Sequence, residues 1–366
     1  MLVVVGLVPG AIPARAASQA ELRQMIGQMI MIGFPGRDPK ESRVAKVVRQ
    51  IKDGKIAGVM LLGYNITSRK QIRALTSALR EAGGKLPVLI SLDQEGGKVQ
   101  RLSPKNGYSK FPPAAAVAAI GDLAETRRIY SKMAGELADA GITLNLAPVL
   151  DVNVNRANPA IGVLGRSYGT APDQVTAQAR VFIETHHASG ILTAAKHFPG
   201  HGSSAGDSHN DIVDVSKAWS ESESVPFRDL AGDGGTDAML VGHIYLNGFG
   251  DKAKTPATLS RGLISDVLRG RIGFAGPIIT DDMEMKAIVR HYSLEEGVLK
   301  AIDAGVDILL FSNTHYNDPD LPDRIAKIVL KAVADGRIAP ERLRDSHGRV
   351  MAMKASLAKL LAARSN

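Results

Sequence analysis

The sequence predicts an α/β protein, a single (β/α)8 TIM-type barrel with a C-terminal helical tail. Three observations carry this. Eight short β-rich apolar runs recur along the chain, the segments between them have helical periodicity, and glycines stand where several of those helices end. Strand, helix, glycine, strand is the order of parallel βαβ units, and eight copies over about 300 residues favour a closed barrel over an open sheet.

The runs are QMIMIGF from Gln28, GVMLLG from Gly58, PVLISLD from Pro87 and ITLNLAPVLD from Ile142. ILTAAKH from Ile191, AMLVGH from Ala238, PIITDD from Pro277 and VDILLFS from Val306 complete the set. Helical segments between them include SRVAKVVRQIKDG, SRKQIRALTSALREAG, ETRRIYSKMAGELADAG, PDQVTAQARVFIETHHASG and SLEEGVLKAIDAG, with predicted C-caps at Gly54, Gly83, Gly141, Gly190 and Gly305. Active sites of such barrels lie at the C-terminal ends of the strands. Those ends carry Asp93, Asp151, Lys196 with His197, His243, Asp281 with Asp282, and Asn313, a polar ring over an apolar barrel.

The 366 residues are 45% apolar and 22% charged, enough for one large core. There is no cysteine, which excludes disulfides, zinc ribbons and a thiol nucleophile; a metal would need His, Asp or Glu. The net charge is +8, and the segment from Leu321 carries ten Lys/Arg against four Asp/Glu, so the tail supplies most of it. No aromatics interleave those charges, so the tail reads as a solvated helix face and not as a nucleic-acid surface. Residues 1–17 hold an apolar run from Leu2 to Val8 and an A-x-A site at Ala14 to Ala16, and read as a secretory signal peptide without the usual basic n-region. The alternative is an N-terminal strand and a cytoplasmic chain. The expectation is a periplasmic or secreted monomer whose residues 18–366 form one barrel domain. No other run approaches the roughly 18 apolar residues of a membrane helix.

The loop KHFPGHGSSAGDSH, Lys196 to His209, falls after the fifth strand, at the active mouth. It has neither the phosphate-binding G-x-x-x-x-G-K-[ST] pattern nor G-x-G-x-x-G. His197, His201, Asp207 and His209 have metal-ligand chemistry, but a barrel metallohydrolase would place His-x-His at the end of its first strand, where this chain has Ile32, Gly33, Phe34. A third reading is glycoside hydrolysis, which needs a carboxylate nucleophile and a proton donor on opposite sides of the sugar bond. Asp281 ends the seventh strand; Asp207 beside His209 supplies a carboxylate-oriented imidazole on a loop made pliable by glycine. Strand alternation alone does not separate Asp281 from Asp282.

SLDQEGGKVQR, LGRSYG, KHFPGHG followed by DSH, and TDDMEM, in that order, resemble the bacterial β-N-acetylglucosaminidases of glycoside hydrolase family 3, from about Glu21 to Lys354. The resemblance implies Asp281 as nucleophile, His209 as general acid/base and Asp207 as its partner. It also implies that Asp93, Arg101, Arg166, Lys196 and His197 hold the sugar's hydroxyl and acetamido groups. His243 and Met285 are weaker candidates that fit rim packing equally well, and the remaining histidines, such as His186 and His291, read as structural or solvated. Neither an adjacent Asp-Glu pair nor a D-x-x-D-x-D-x-E run is present, so attack by the substrate's own acetamido group is disfavoured against a covalent glycosyl-Asp intermediate. The implied activity is cofactor-free, retaining removal of terminal β-linked N-acetylglucosamine from peptidoglycan- or chitin-derived fragments. Its rivals are a β-glucosidase of the same family, a metal-dependent barrel hydrolase and a non-catalytic sugar-binding barrel.

Overall fold

The structure is a computed structural model and describes residues 18–232, 235–251 and 254–365, so the signal-peptide reading of residues 1–17 lies outside the described residues. The eight predicted runs form eight parallel strands: β1 Ile30–Ile32, β2 Gly58–Met60, β3 Leu89–Leu92, β4 Leu144–Asn145, β5 Leu192–Phe198, β6 Ala238–Val241, β7 Ile278–Thr280 and β8 Leu309–Phe311. Each pairs with its neighbour in sequence, β1 pairs with β8, and a parallel bridge between Ile279 and Ile308 closes the ring. The predicted barrel is therefore the observed one.

Both faces of these strands are buried, which is why they read as continuous apolar runs. Alternation sorts them: Met31, Leu89, Leu144, Leu192, Ala194, Leu240, Ile279 and Leu310 fill the barrel, while Ile30, Ile32, Val59, Ile90 and Ile278 pack outward against the helices. Continuing the inward rows past Leu89, Ala194 and Ile279 brings Asp93, Lys196 and Asp281 to the inner face at the C-terminal mouth.

The outer layer is α1 Gln19–Gly27, α2 Ser42–Lys52, α3 Arg69–Gly83, α4 Leu123–Asp139, α5 Pro172–Ala188, α6 Leu294–Ala304, α7 Leu321–Ala334 and α8 Pro340–Ser365. Local sequence starts them: Ser18 with Glu21 and Ser293 with Glu296 form capping boxes on α1 and α6, and the Asp122 side chain accepts the Ala124 N–H at α4. Gly54, Gly141, Gly190 and Gly305 take the left-handed conformation that ends the preceding helices, as predicted. Gly83 does not; it is the last residue of α3, and the positive φ of +58° falls on Gly84. Lys196 to Phe198 are the last residues of β5, not loop; beyond them the chain spends its length on the loop through His209 and reaches the five-residue helix Val225–Asp229, and after β6 a π-helical segment, Gly262–Arg271, stands in the helix position.

The tail differs from expectation. Helix α8 has a solvated basic side, but its Val350, Met353 and Leu357 join the barrel's inner cluster and plug the end opposite the mouth. Lys354 is buried with them, donating to Gln28 Oε1 and the Ala57 carbonyl at 2.8 Å each. Asp307, at the start of β8, accepts from Ser346 at 2.6 Å and is flanked by Arg269, Arg342 and Arg349. No described helix is long and apolar enough to cross a membrane.

Candidate active site

A cavity of about 330 Å³ opens at the C-terminal ends of the strands. Met60, Leu146, Leu240 and Leu310, the uppermost inward residues, make its apolar floor. Its walls include Asp93, Glu95, Arg101, Arg166, Lys196, His197, Asp207, His209 and Asp281, so all eight residues singled out by sequence line one pocket.

One wall is a charge network. Lys196 Nζ lies 2.7 Å from Asp93 Oδ1 and 2.7 Å from Glu95 Oε1; Arg101 Nη2 donates to Asp93 Oδ2 at 2.9 Å. Arg166 grips Glu95 with two parallel bonds, Nε to Oε2 at 2.7 Å and Nη2 to Oε1 at 2.8 Å. Burial raises the Asp93 and Glu95 carboxyls, but the neighbouring lysine and guanidinium groups outweigh it and hold both well below the ordinary range. Lys196 is depressed by burial yet raised overall by Asp93 and Glu95. Asp93, Glu95 and Lys196 are thus charged at neutral pH. Alternating fixed donors and acceptors are suited to hydroxyl groups, which donate and accept at once.

Behind this wall, fully buried Asp151 accepts the His197 and His201 backbone N–H groups on Oδ1 and faces His197 Nδ1 from Oδ2 at 2.7 Å. Oriented this way, His197 turns Nε2 to Arg166, 3.4 Å away. The Lys196–His197 peptide is cis.

On another wall, Asp281 and Asp282 separate. Asp282 accepts the Ser312 N–H at 2.8 Å and the Glu284 N–H at 3.1 Å, which ties it to the β8 loop. Burial pushes its carboxyl up to about 6 despite these bonds. Asp281 accepts one hydrogen bond, from the Asp282 N–H at 2.8 Å. Burial raises the Asp281 carboxyl, but the His243, His197 and His209 imidazoles outweigh it and keep it below the usual value. It is an ionised carboxylate with no cationic side chain bonded to it among the described residues.

Asp207 and His209 stand on the β5 loop. Asp207 Oδ1 accepts the His209 N–H at 2.9 Å and lies 2.6 Å from His209 Nδ1, which leaves Nε2 for the pocket. Burial raises the Asp207 carboxyl, but the His209 N–H and ring together outweigh it, so the carboxyl is lowered. The imidazole is 65% exposed, reachable from solvent and from a ligand alike.

Two ring candidates, Asn313 and His243, point elsewhere. Asn313, expected at the mouth, turns away into bonds with the Asp318 backbone, and its neighbours Ser312 and Thr314 line the cavity instead. His243 is fully buried between Thr258 Oγ1 and the Asp282 carbonyl, the packing reading, whereas Met285 lines the pocket. The histidines weighed as metal ligands take separate partners: Asp151 for His197, Ser208 for His201, Asp207 for His209. Sequence reasoning missed Glu95, although DQEGG contains it, and Glu284, whose carboxylate accepts the Thr314, His315 and Tyr316 N–H groups and shapes the rim.

The profile described as Glycosyl hydrolase family 3 N terminal domain matches residues 21–353. A beta-hexosaminidase of Tolumonas auensis is 38% identical over 269 residues, covering 70% of this chain and 76% of that protein. A family 3 beta-N-acetylglucosaminidase structure from a Paenibacillus species superposes with TM-score 0.83 at 33% identity over 92% of this chain; the chain spans 62% of that longer protein. A beta-N-acetylhexosaminidase structure from Beutenbergia cavernae gives TM-score 0.80 at 30% identity, covering 91% of this chain and 98% of that one.

Proposed function

Because the chain belongs to glycosyl hydrolase family 3 and is a glycosidase, we propose that it is a retaining exo-β-N-acetylglucosaminidase. One observation carries the mechanism. A side-chain-unpaired, ionised Asp281 and an imidazole whose distal nitrogen is free line the same cavity from different loops. Asp281 attacks the anomeric carbon while His209, held in register by Asp207, gives its Nε2 proton to the departing glycosidic oxygen; the covalent glycosyl-Asp281 is then opened by water that the neutral imidazole deprotonates. The charge on Asp207 stabilises the imidazolium before the first step and between turnovers. Asp93, Arg101, Arg166, Lys196 and His197 bind the terminal sugar. The natural substrates are peptidoglycan- or chitin-derived fragments bearing terminal N-acetylglucosamine, met by a monomer outside the cytoplasm.

The test is hydrolysis of aryl N-acetylglucosaminide against aryl glucoside. Preference for the glucoside would move the chain to the β-glucosidase reading, and binding without turnover would leave a sugar-binding barrel. Asp281→Asn should lower kcat at least about 10³-fold, and a fluorinated sugar should label the peptide containing Asp281. His209→Ala should lose about 10²-fold on poor leaving groups and less on good ones, which need less proton donation.

A further inference from the structure

We propose that Arg290 and His291 are positioning residues that hold the His209 loop against the segment bearing Asp281. The proposal rests on the glycosidase mechanism above. Beyond Asp281 the chain runs through Met285 into the single helical turn Lys286–Val289, and the next two residues reach across to the other loop. Arg290 Nη1 donates to the Asn210 carbonyl at 2.9 Å and lies 3.4 Å from Asp211 Oδ2; His291 Nε2 is 2.7 Å from Asp211 Oδ1. The fastening therefore falls on the two residues that follow His209.

The inner end of the loop is anchored by buried bonds. Asp151 accepts the His201 N–H, Glu223 accepts the Ser203 N–H at 3.0 Å, and Asn155 Nδ2 donates to the Ser204 carbonyl at 2.9 Å. From Gly206 to His209 the hydrogen bonds stay within the loop and its base: Ser204 with Gly206, Asp207 with His209, and His201 with Ser208 at 3.3 Å. Past Asp211 the chain is held again, where Val213 and Asp214 pair with Ile244 and Tyr245; next to His209 itself, the contacts to the Asp281 side are those of Arg290 and His291. Both contacts are exposed, at 52% for Arg290, 41% for His291 and 53% for Asp211. Exposed pairs are individually weak, which suits a fastening that must let product out between turnovers. Because it springs from the Asp281 segment, it sets the acid/base relative to the nucleophile and not merely relative to the barrel.

The experiment compares phenyl and dinitrophenyl N-acetylglucosaminides for wild type, Arg290→Lys and the double variant Arg290→Gln/His291→Gln. A misplaced acid hurts the substrate that needs protonation. The double variant should lose about tenfold in kcat on the phenyl glycoside and less than about twofold on the dinitrophenyl glycoside, with KM steady and Arg290→Lys close to wild type. Asp211→Asn cuts the same fastening from the loop side and should give the same split, which guards against a misfolded double variant. Equal losses on both substrates, or no loss with unchanged thermal melting, would overturn the proposal while the wild type remains active. Inactivity of the wild type on both glycosides would overturn the functional reading and this role together.

Discussion

Glu95 divides its carboxylate between Arg166 and Lys196 while 6% exposed, so its replacement by glutamine leaves two buried cations short of a counter-charge. Breaking a buried pair from one side costs about 3–5 kcal/mol, so Glu95→Gln should lose that much in denaturant unfolding and raise KM for the glycoside. The sign with pH follows from lowered carboxyls. Asp93, Glu95 and Asp151 stabilise the fold above their unfolded values near pH ~4, and that stabilisation is lost as pH falls through the lower folded values. Glu95→Gln should therefore show a shallower acid limb. The residue's neighbourhood in sequence announced a polar turn but not its partner, because Arg166 stands 71 positions away and ion pairing of that range leaves no periodic trace. Asp281 and Asp282 teach the same lesson. Their roles are separated by which backbone N–H groups each accepts, and a bond from Ser312, 30 residues on, is invisible in a local pattern.

At the scale of elements, the strands were legible because burial on both faces writes them as unbroken apolar runs, and the long helices because their caps and stripes are local. The β5 loop was legible as a site from its histidines, but its anchoring was not. Glu223 is buried beneath it, bonded through one oxygen to the Ser203 N–H, and burial pushes its carboxyl up to about 7. A raised carboxyl favours the fold fully below its unfolded value of 4.5, and that benefit is lost as pH climbs through about 7. Glu223→Gln should accordingly melt higher than wild type at pH ~8 and close to it at pH ~5. Gly202 lies at the base of the same loop, where a Cβ would stand 1.6 Å from the Val152 carbonyl oxygen. Gly202→Ala must push the loop off its seat, and its kcat should fall at least about tenfold, measured on an aryl N-acetylglucosaminide.

For the whole molecule, charge bias made the tail look like a solvated appendage, because ten cations mask the row of Val350, Met353 and Leu357 that enters the barrel. Removing residues 337–366 should yield insoluble or protease-sensitive protein, not a trimmed enzyme. Burial lowers Lys354 to about 7 from 10.5, so the fold's preference for the neutral amine is complete above the unfolded value and lost as pH falls toward 7. Lys354→Met, which strands the Gln28 and Ala57 oxygens, should be less stable than wild type at pH ~9.5, with the gap narrowing by pH ~7 in paired melts. The Lys354 to Gln28 bond joins positions 326 residues apart, the first turn of the fold to its last helix. During synthesis the opening segments must wait, unsealed, until α8 has left the ribosome. Nascent chains stalled before α8 should stay open to protease and to chaperone binding, and closure should follow the emergence of α8 as one late event.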